Sequence, residues 1–140
     1  MDICQVNEAG TLYVGSDIDD WDLIHATGIS VIVDMDGDLD QVPTKPDGFL
    51  YVYYPIYDEE LPNLDKLHAV ARLVASMCAT ERVLVHCRMG YNRSCLVVGL
   101  ALTYMGWDGL RALAHLRAIR PAALYNEVFA AYLERIAASS

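Results

Sequence analysis

The stretch that most constrains the fold is residues 83–106. Residues 83–85 are Val-Leu-Val, a short apolar run that is typical of a strand buried on both faces. Residues 86–92 read His-Cys-Arg-Met-Gly-Tyr-Asn, and residues 95–105 form a largely apolar run of helical length that stops at Gly106. The pattern therefore predicts a buried strand, a short loop and a helix in direct succession.

The predicted loop has the properties of an anion-binding site. A loop that leads into a helix N-terminus can direct several backbone N–H groups and the positive end of the helix dipole at one point. Cys87 lies at the start of this loop and Arg93 at its end. The helix end and the guanidinium both stabilise a thiolate relative to a thiol. We therefore expect a tetrahedral oxyanion to be held above a nucleophilic sulfur.

Residues 86–94 spell H-C-x-x-G-x-x-R-S. This segment resembles the signature of the cysteine-based protein tyrosine phosphatases, in the form typical of their dual-specificity branch. The resemblance extends from residue 12 to about residue 136. Residues 54–58, Tyr-Pro-Ile-Tyr-Asp, match the position where that family carries its general-acid aspartate on a mobile loop. The segment 118–129 resembles the last helices of the family more weakly.

The resemblance implies a role for each matching residue. Cys87 is the nucleophile, Asp58 the general acid and then the base, and Ser94 the hydrogen-bond donor to the sulfur. Arg93 is a bidentate clamp on the phosphoryl group. His86 is expected to hold the backbone of the loop. The predicted substrate-binding residues follow one another along the loop: Arg88, Met89, Gly90, Tyr91, Asn92 and Arg93.

Composition limits the alternatives. A chain of 140 residues with 54% hydrophobic residues is expected to form one domain, residues 1–140, with a proper core. There is no run of 18 apolar residues and no basic-then-apolar N-terminus, so we expect neither a membrane span nor a secretory signal. The four cysteines lack the density of a disulfide scaffold and the spacing of metal ligands. Because Cys87 needs a reducing compartment, we expect a cytoplasmic protein.

The net charge of −9 is unevenly distributed. Residues 1–85 carry four Lys and Arg against sixteen Asp and Glu, whereas residues 86–140 carry six Arg against three Asp and Glu. A positive loop on an acidic chain suits a phosphorylated protein or a small phosphomonoester and disfavours nucleic acid or an anionic membrane as partner. We expect a monomer.

No cofactor and no metal are predicted. Residues 34–40 resemble a calcium loop at first sight, but Leu39 replaces its glycine and Lys45 its closing glutamate. An acidic turn is the better interpretation.

The order of the predicted elements gives an α/β fold with a central, mostly parallel sheet flanked by helices, of the protein tyrosine phosphatase type. Strands are predicted at residues 11–15, 29–33, 49–56 and 83–85, and a proline-containing loop at 41–48. Ser16 is the predicted N-cap of a first helix that ends at Gly28. Further helices are predicted after Pro62 and at residues 95–105, 108–119 and 126–137. The loop at residues 86–92 then lies at the carboxyl end of a strand, where such folds bind ligands.

Several alternatives stay open. Asp58 has Glu59 and Glu60 beside it and is alternatively one member of an acidic loop. Cys78 and Cys95 are interpreted as core residues, with formation of a disulfide to Cys87 as the alternative. The rival functions are a catalytically idle phosphate-binding module of the same fold and another thiol enzyme, such as a rhodanese-like sulfurtransferase or an arsenate reductase.

The predicted substrates are phosphotyrosine and, in a shallow pocket, phosphoserine and phosphothreonine. The loop carries Met89 and Tyr91 instead of the extra lysines expected for an inositol polyphosphate.

Overall fold

The computed structural model describes residues 1–43 and 47–139. Of the predicted loop at 41–48, Thr44, Lys45 and Pro46 therefore lie outside the described residues. The described residues form five strands, β1 (Ile3–Gln5), β2 (Leu12–Gly15), β3 (Val31–Asp34), β4 (Leu50–Tyr53) and β5 (Val83–His86). The five helices are α1 (Trp21–Thr27), α2 (Leu64–Met77), α3 (Arg93–Tyr104), α4 (Gly109–Ile119) and α5 (Glu127–Glu134).

The strands form one sheet in the order β1-β2-β5-β3-β4. Only β1 is antiparallel; the other pairings are parallel, as expected for strands joined by helical crossovers. Gly15, Asp34 and Tyr53 end β2, β3 and β4 in register with His86 at the end of β5. The segments that follow these four strands therefore all leave the sheet at the carboxyl ends of the strands. The predicted α/β fold with a central, mostly parallel sheet is confirmed.

The central strand and the following helix form the core. All four residues of β5 are buried, as are residues 94–103 of α3. Helices α2, α4 and α5 pack around α3 on one face of the sheet, and α1 covers a smaller apolar cluster on the other face. Burial on every side explains why the sequence of α3 is apolar all round rather than amphipathic. No helix of the described residues combines the length and the apolar character needed to span a bilayer.

Local signals misplaced some boundaries. Asp20, not Ser16, is the N-cap of α1, because the Ser16 hydroxyl instead accepts a hydrogen bond from the Asp2 N–H at 2.8 Å. That bond belongs to the pairing of β1 with β2, and β1 was not predicted. Helix α3 begins at Arg93, two residues before the predicted start, and β4 is shorter than the predicted strand at 49–56.

Candidate active site

The loop from Cys87 to Asn92 connects the centre of the sheet to the N-terminus of the most buried helix. Asn92 is the N-cap residue of α3, yet its side chain makes no capping hydrogen bond. The first N–H groups of a helix have no partner within the helix, so this end is left open toward the loop. An anion placed there would meet N–H donors and the positive end of the helix dipole.

Cys87 is buried, with its side chain inside the curve of the loop. The Cys87 Sγ lies 3.2 Å from the hydroxyl oxygen of Ser94. The backbone N–H of Gly90 also donates to this sulfur, at 3.3 Å. The structure thus brings the predicted nucleophile close to the predicted serine donor, which lies in the first turn of α3.

Gly90 gives the loop its tight curvature. Its φ of 77° lies in the left-handed region that favours glycine. A Cβ at this position would lie 2.6 Å from the backbone carbon of Gly15 in β2. The loop is therefore pressed against the end of the neighbouring strand at the residue where it reverses.

Arg120, the residue after the predicted helix at 108–119, binds the backbone of the loop. Arg120 is buried, and its Nε donates to the carbonyl of Gly90 at 2.6 Å. Its Nη2 donates to the carbonyl of Met89 at 2.9 Å and pairs with Asp2 at 3.0 Å. Its guanidinium also stacks on the ring of Tyr91, 4.7 Å from the centroid. Because Arg120 binds the carbonyls on its own side of the loop, the N–H side of the loop faces the sulfur.

The Arg93 guanidinium has a hydrogen-bond donor that the described residues do not use. Its Nη1 donates to the carbonyl of Ile56 at 3.4 Å and lies 3.7 Å from a carboxylate oxygen of Asp36. Its Nε is buried and has no hydrogen-bond partner among the described residues. A cleft of about 470 Å³ is lined by Arg93 and Arg88. Two guanidinium groups at one cleft provide the forked donors that bind a phosphoryl group.

The other predicted substrate-binding side chains are used differently. Arg88 and Met89 are exposed at the mouth of the loop, where a ligand can reach them. Tyr91 is partly buried between Arg120 and Tyr125, so its ring serves packing.

Asp58 lies next to the loop although 34 residues of sequence separate it from Asn92. Its Oδ2 accepts a hydrogen bond from the Asn92 Nδ2 at 2.9 Å, and its Oδ1 accepts one from the Asn126 Nδ2, also at 2.9 Å. Asn92 was predicted as a substrate-binding residue of the loop, and Asn126 as the first residue of the last helix in a segment that resembles the family weakly. No local pattern indicates that both amides meet one carboxylate.

His86 makes a different contact from the one expected. Instead of bonding to the loop backbone, its Nε2 lies 2.6 Å from Asp40 and 3.8 Å from Asp34. Burial lowers the pKa of His86, but the hydrogen bond and the charges of the two carboxylates outweigh it and raise that pKa. These three residues bring potential metal ligands within 4.8 Å of one another. Asp40 is already paired with His86, and Asp34 accepts from the Tyr51 hydroxyl and from the Asp36 N–H.

A second carboxylate pair, Asp17 and Asp36, lies near the loop, and Asp36 lines the cleft. Burial and a hydrogen bond with Asp36 raise the pKa of Asp17 to about 6. Burial opposes a low pKa for Asp36, but the hydrogen bond from Asp17 and the charge of Arg93 lower it. Asp17 is joined to the loop because its N–H donates to the carbonyl of Arg88 at 3.2 Å. The pair therefore shares one proton up to about pH 6, close to the arginine that would bind phosphate.

Cys78 and Cys95 have the properties of core residues. Burial raises the pKa of Cys78 to about 11, and burial together with the nearby Cys87 raises that of Cys95 to about 12. Thiols with such values are poor nucleophiles near neutral pH. The Cys95 thiol instead donates to the carbonyl of Gly90 at 3.6 Å.

With this geometry established, comparison with known proteins assigns the family. Residues 12–137 match the family model for the dual specificity phosphatase catalytic domain. The chain belongs to this family. Membership places it among the cysteine-based protein phosphatases, and the sulfurtransferase and arsenate reductase alternatives are not favoured.

Relatives and solved structures agree with the assignment. The mouse protein phosphatase Slingshot homolog 3 is 33% identical over 126 residues, which cover 84% of this chain and 19% of that protein. Drosophila melanogaster Slingshot is 29% identical over 131 residues, which cover 88% of this chain and 12% of that protein. The chain thus spans about a fifth or less of the length of these relatives.

The fold is also that of two solved dual specificity phosphatases. DUSP15 superposes with a TM-score of 0.80 at 23% identity, covering 95% of this chain and 85% of that one. Human DUSP28 superposes with a TM-score of 0.79 at 22% identity, covering 96% of this chain and 92% of that one.

Proposed function

We propose that this chain is an active phosphatase that hydrolyses phosphomonoesters through a cysteinyl-phosphate on Cys87. The observation that carries the proposal is the position of the Cys87 sulfur, between the Gly90 N–H and the Ser94 hydroxyl at the open end of α3. A thiolate there attacks phosphorus in line with the ester oxygen, so the S–P bond forms as the P–O bond breaks. Asp58 gives its proton to the departing oxygen.

The second step returns the enzyme to its starting state. The Asp58 carboxylate takes a proton from a water molecule, whose oxygen attacks phosphorus. The S–P bond breaks, and its electron pair stays on the Cys87 sulfur. The Ser94 hydroxyl, 3.2 Å away, donates a hydrogen bond to that sulfur as charge returns to it.

Arg93 and the loop bind the phosphoryl group in both steps. The Arg93 Nε, which is buried and has no hydrogen-bond partner among the described residues, supports this role, because a buried donor without a partner is costly until a ligand accepts from it. The backbone N–H groups of residues 88–92 supply further donors, and the exposed Arg88 and Met89 contact the remainder of the substrate. Catalysis of phosphoryl transfer consists mainly of such positioning and charge stabilisation.

We propose phosphotyrosine, with phosphoserine and phosphothreonine, as the substrate class. The Asp17 and Asp36 carboxylates beside the cleft support it, since they oppose the additional phosphates of an inositol polyphosphate. Turnover of three phosphopeptides that differ only in the phosphorylated residue, compared with inositol phosphates, tests the assignment. A preference for the inositol phosphates would refute it.

We further propose that residues 1–140 act as one catalytic unit, monomeric and cytoplasmic, with a phosphorylated protein as partner and no role for nucleic acid, membrane or cofactor. The acidic balance of residues 1–85 supports the exclusion of polyanionic partners. Sedimentation at several concentrations tests the monomer, and localisation of the tagged chain in its host tests the compartment.

The decisive experiment is hydrolysis of an aryl phosphate by the wild type, Cys87→Ser and Asp58→Asn from pH 5 to 8. We expect no turnover by Cys87→Ser, because an alcohol in place of the thiol cannot supply the nucleophile. We expect Asp58→Asn to be slower by about 10²–10⁴-fold and to lose the fall in rate at high pH, since general acid catalysis contributes on that scale. Wild-type protein that binds vanadate but forms no product would instead identify an idle phosphate-binding module.

A further inference from the structure

Two asparagine side chains form a continuous network with Asp58. The Asn92 Nδ2 donates to one carboxylate oxygen of Asp58 and the Asn126 Nδ2 to the other, both at 2.9 Å. The two asparagines are also joined to each other, because the Asn126 N–H donates to the Asn92 Oδ1 at 2.9 Å. The Asn126 Nδ2 additionally donates to the carbonyl of Glu59 at 3.0 Å.

Each asparagine lies at the N-terminus of a helix. Asn126 caps α5, where its Oδ1 accepts from the N–H groups of Val128 and Phe129. Asn92 occupies the N-cap of α3 and is only 3% exposed, but its side chain does not cap that helix. A buried asparagine at an N-cap would ordinarily bond to its own helix. Here its Nδ2 donates to Asp58 and its Oδ1 accepts from Asn126.

We propose that Asn92 and Asn126 are positioning residues. They hold the segment that carries Asp58 closed over the loop from Cys87 to Asn92 before substrate binds. The proposal rests on the proposed function, in which Asp58 is the general acid. Asp58 itself lies on an exposed connection between β4 and α2, so it has little packing of its own to fix it. Two amide donors on opposite carboxylate oxygens define both the place and the plane of the group.

The network is compatible with proton donation. A protonated carboxyl oxygen keeps a lone pair, so it can accept an amide hydrogen bond while its O–H points at the leaving oxygen. Closure before binding also reduces the entropy that must be lost on reaching the reactive geometry. Breaking the network should therefore affect the reaction most where a proton from Asp58 is most needed.

The test uses one substitution at three helix N-caps. Serine caps a helix about as well as asparagine but has no amide donor to reach Asp58. Asn92→Ser and Asn126→Ser each remove one donor from the network. Asn63→Ser is the matched control, because Asn63 caps α2 through the Lys66 N–H and has no hydrogen bond to Asp58 among the described residues.

The readout compares an aryl phosphate with a strongly acidic phenol, which departs without protonation, and phenyl phosphate, which needs the acid. We expect the ratio of kcat/KM on the first substrate to kcat/KM on the second to rise about tenfold in Asn92→Ser and Asn126→Ser, the scale of one hydrogen bond to a charged group. We compare kcat/KM because it ends with formation of the cysteinyl-phosphate and leaves out its hydrolysis, which is the same for both substrates. The ratio should not change in Asn63→Ser. In an Asp58→Asn background, neither serine substitution should change it further.

Amide hydrogen exchange separates failure of this proposal from failure of the proposed function. Exchange over residues 54–60 should accelerate in Asn92→Ser and Asn126→Ser but not in Asn63→Ser. Acceleration with an Asp58→Asn enzyme that keeps its full rate on phenyl phosphate would show that the contact holds the segment but that Asp58 is not the acid. An unchanged ratio, an equal loss on both substrates, or a further change in the Asp58→Asn background would overturn the positioning role.

Discussion

A substitution of Arg120 is the strictest test of what stabilises the loop from Cys87 to Asn92. Arg120→Met retains most of the buried volume but removes the donors to the carbonyls of Gly90 and Met89, at 2.6 and 2.9 Å. Hydrogen bonds from a charged group contribute about 1.5–3 kcal/mol each. The ion pair with Asp2 adds under about 1 kcal/mol because Asp2 is 58% exposed. Allowing for the packing that methionine keeps, we expect a loss of about 3–5 kcal/mol of unfolding free energy.

Urea unfolding measures the stability and inhibition by vanadate measures the loop. The affinity for vanadate should fall at least about tenfold, because the freed carbonyls can turn toward the anion. Arg117→Met is the matched control, since Arg117 also donates to two backbone carbonyls, those of Ala123 and Leu124, but is exposed and does not contact the loop. A loss below about 1 kcal/mol in Arg120→Met, or equal vanadate affinities in the two variants, would refute the reasoning.

Two further perturbations act on the same loop. Gly90→Ala should destabilise the fold by about 2 kcal/mol or more and abolish vanadate binding, because it combines a left-handed φ of 77° with a Cβ placed 2.6 Å from a backbone carbon; urea unfolding with near-wild-type stability would contradict this. Asp17→Asn should tighten vanadate binding about fivefold at pH 7.5, where the wild-type pair with Asp36 carries two negative charges, since one charge near the cleft costs roughly 1 kcal/mol. It should have little effect at pH 5, below the Asp17 pKa of about 6, where the wild-type pair already shares a proton; equal gains at both pH values would exclude the shared proton.

The sequence was sufficient for those parts of the site that lie close together along the chain. Cys87, Gly90, Arg93 and Ser94 fall within eight residues, and a parallel sheet places the end of β5 where ligands bind. Their pattern reflects one local structure, a strand that turns into a helix.

Groups that meet only through tertiary structure could not be found in this way. Arg120 contacts Gly90 across 30 residues and Asn126 contacts Asn92 across 34. Neither contact has a period or a spacing that a single sequence reveals. His86 was predicted as the first residue of the loop but is the last residue of β5. Its pairing with Asp40 depends on a turn 46 residues earlier. Strand β1 has only three residues, too few for its alternation to stand out.

The short strand β1 has a consequence for how far the N-terminus of this chain can be shortened. The match to the family begins at residue 12, after β1 and after Asp2. Yet the Asp2 carbonyl accepts from the Ser16 N–H at 2.8 Å, and its carboxylate pairs with the arginine beneath the loop. A fragment that begins at residue 12 would expose the edge of β2 to other chains and lose one ion pair of the arginine that binds the loop from Cys87 to Asn92. The smallest fragment that folds as this chain does should therefore be longer than the segment that matches the family model.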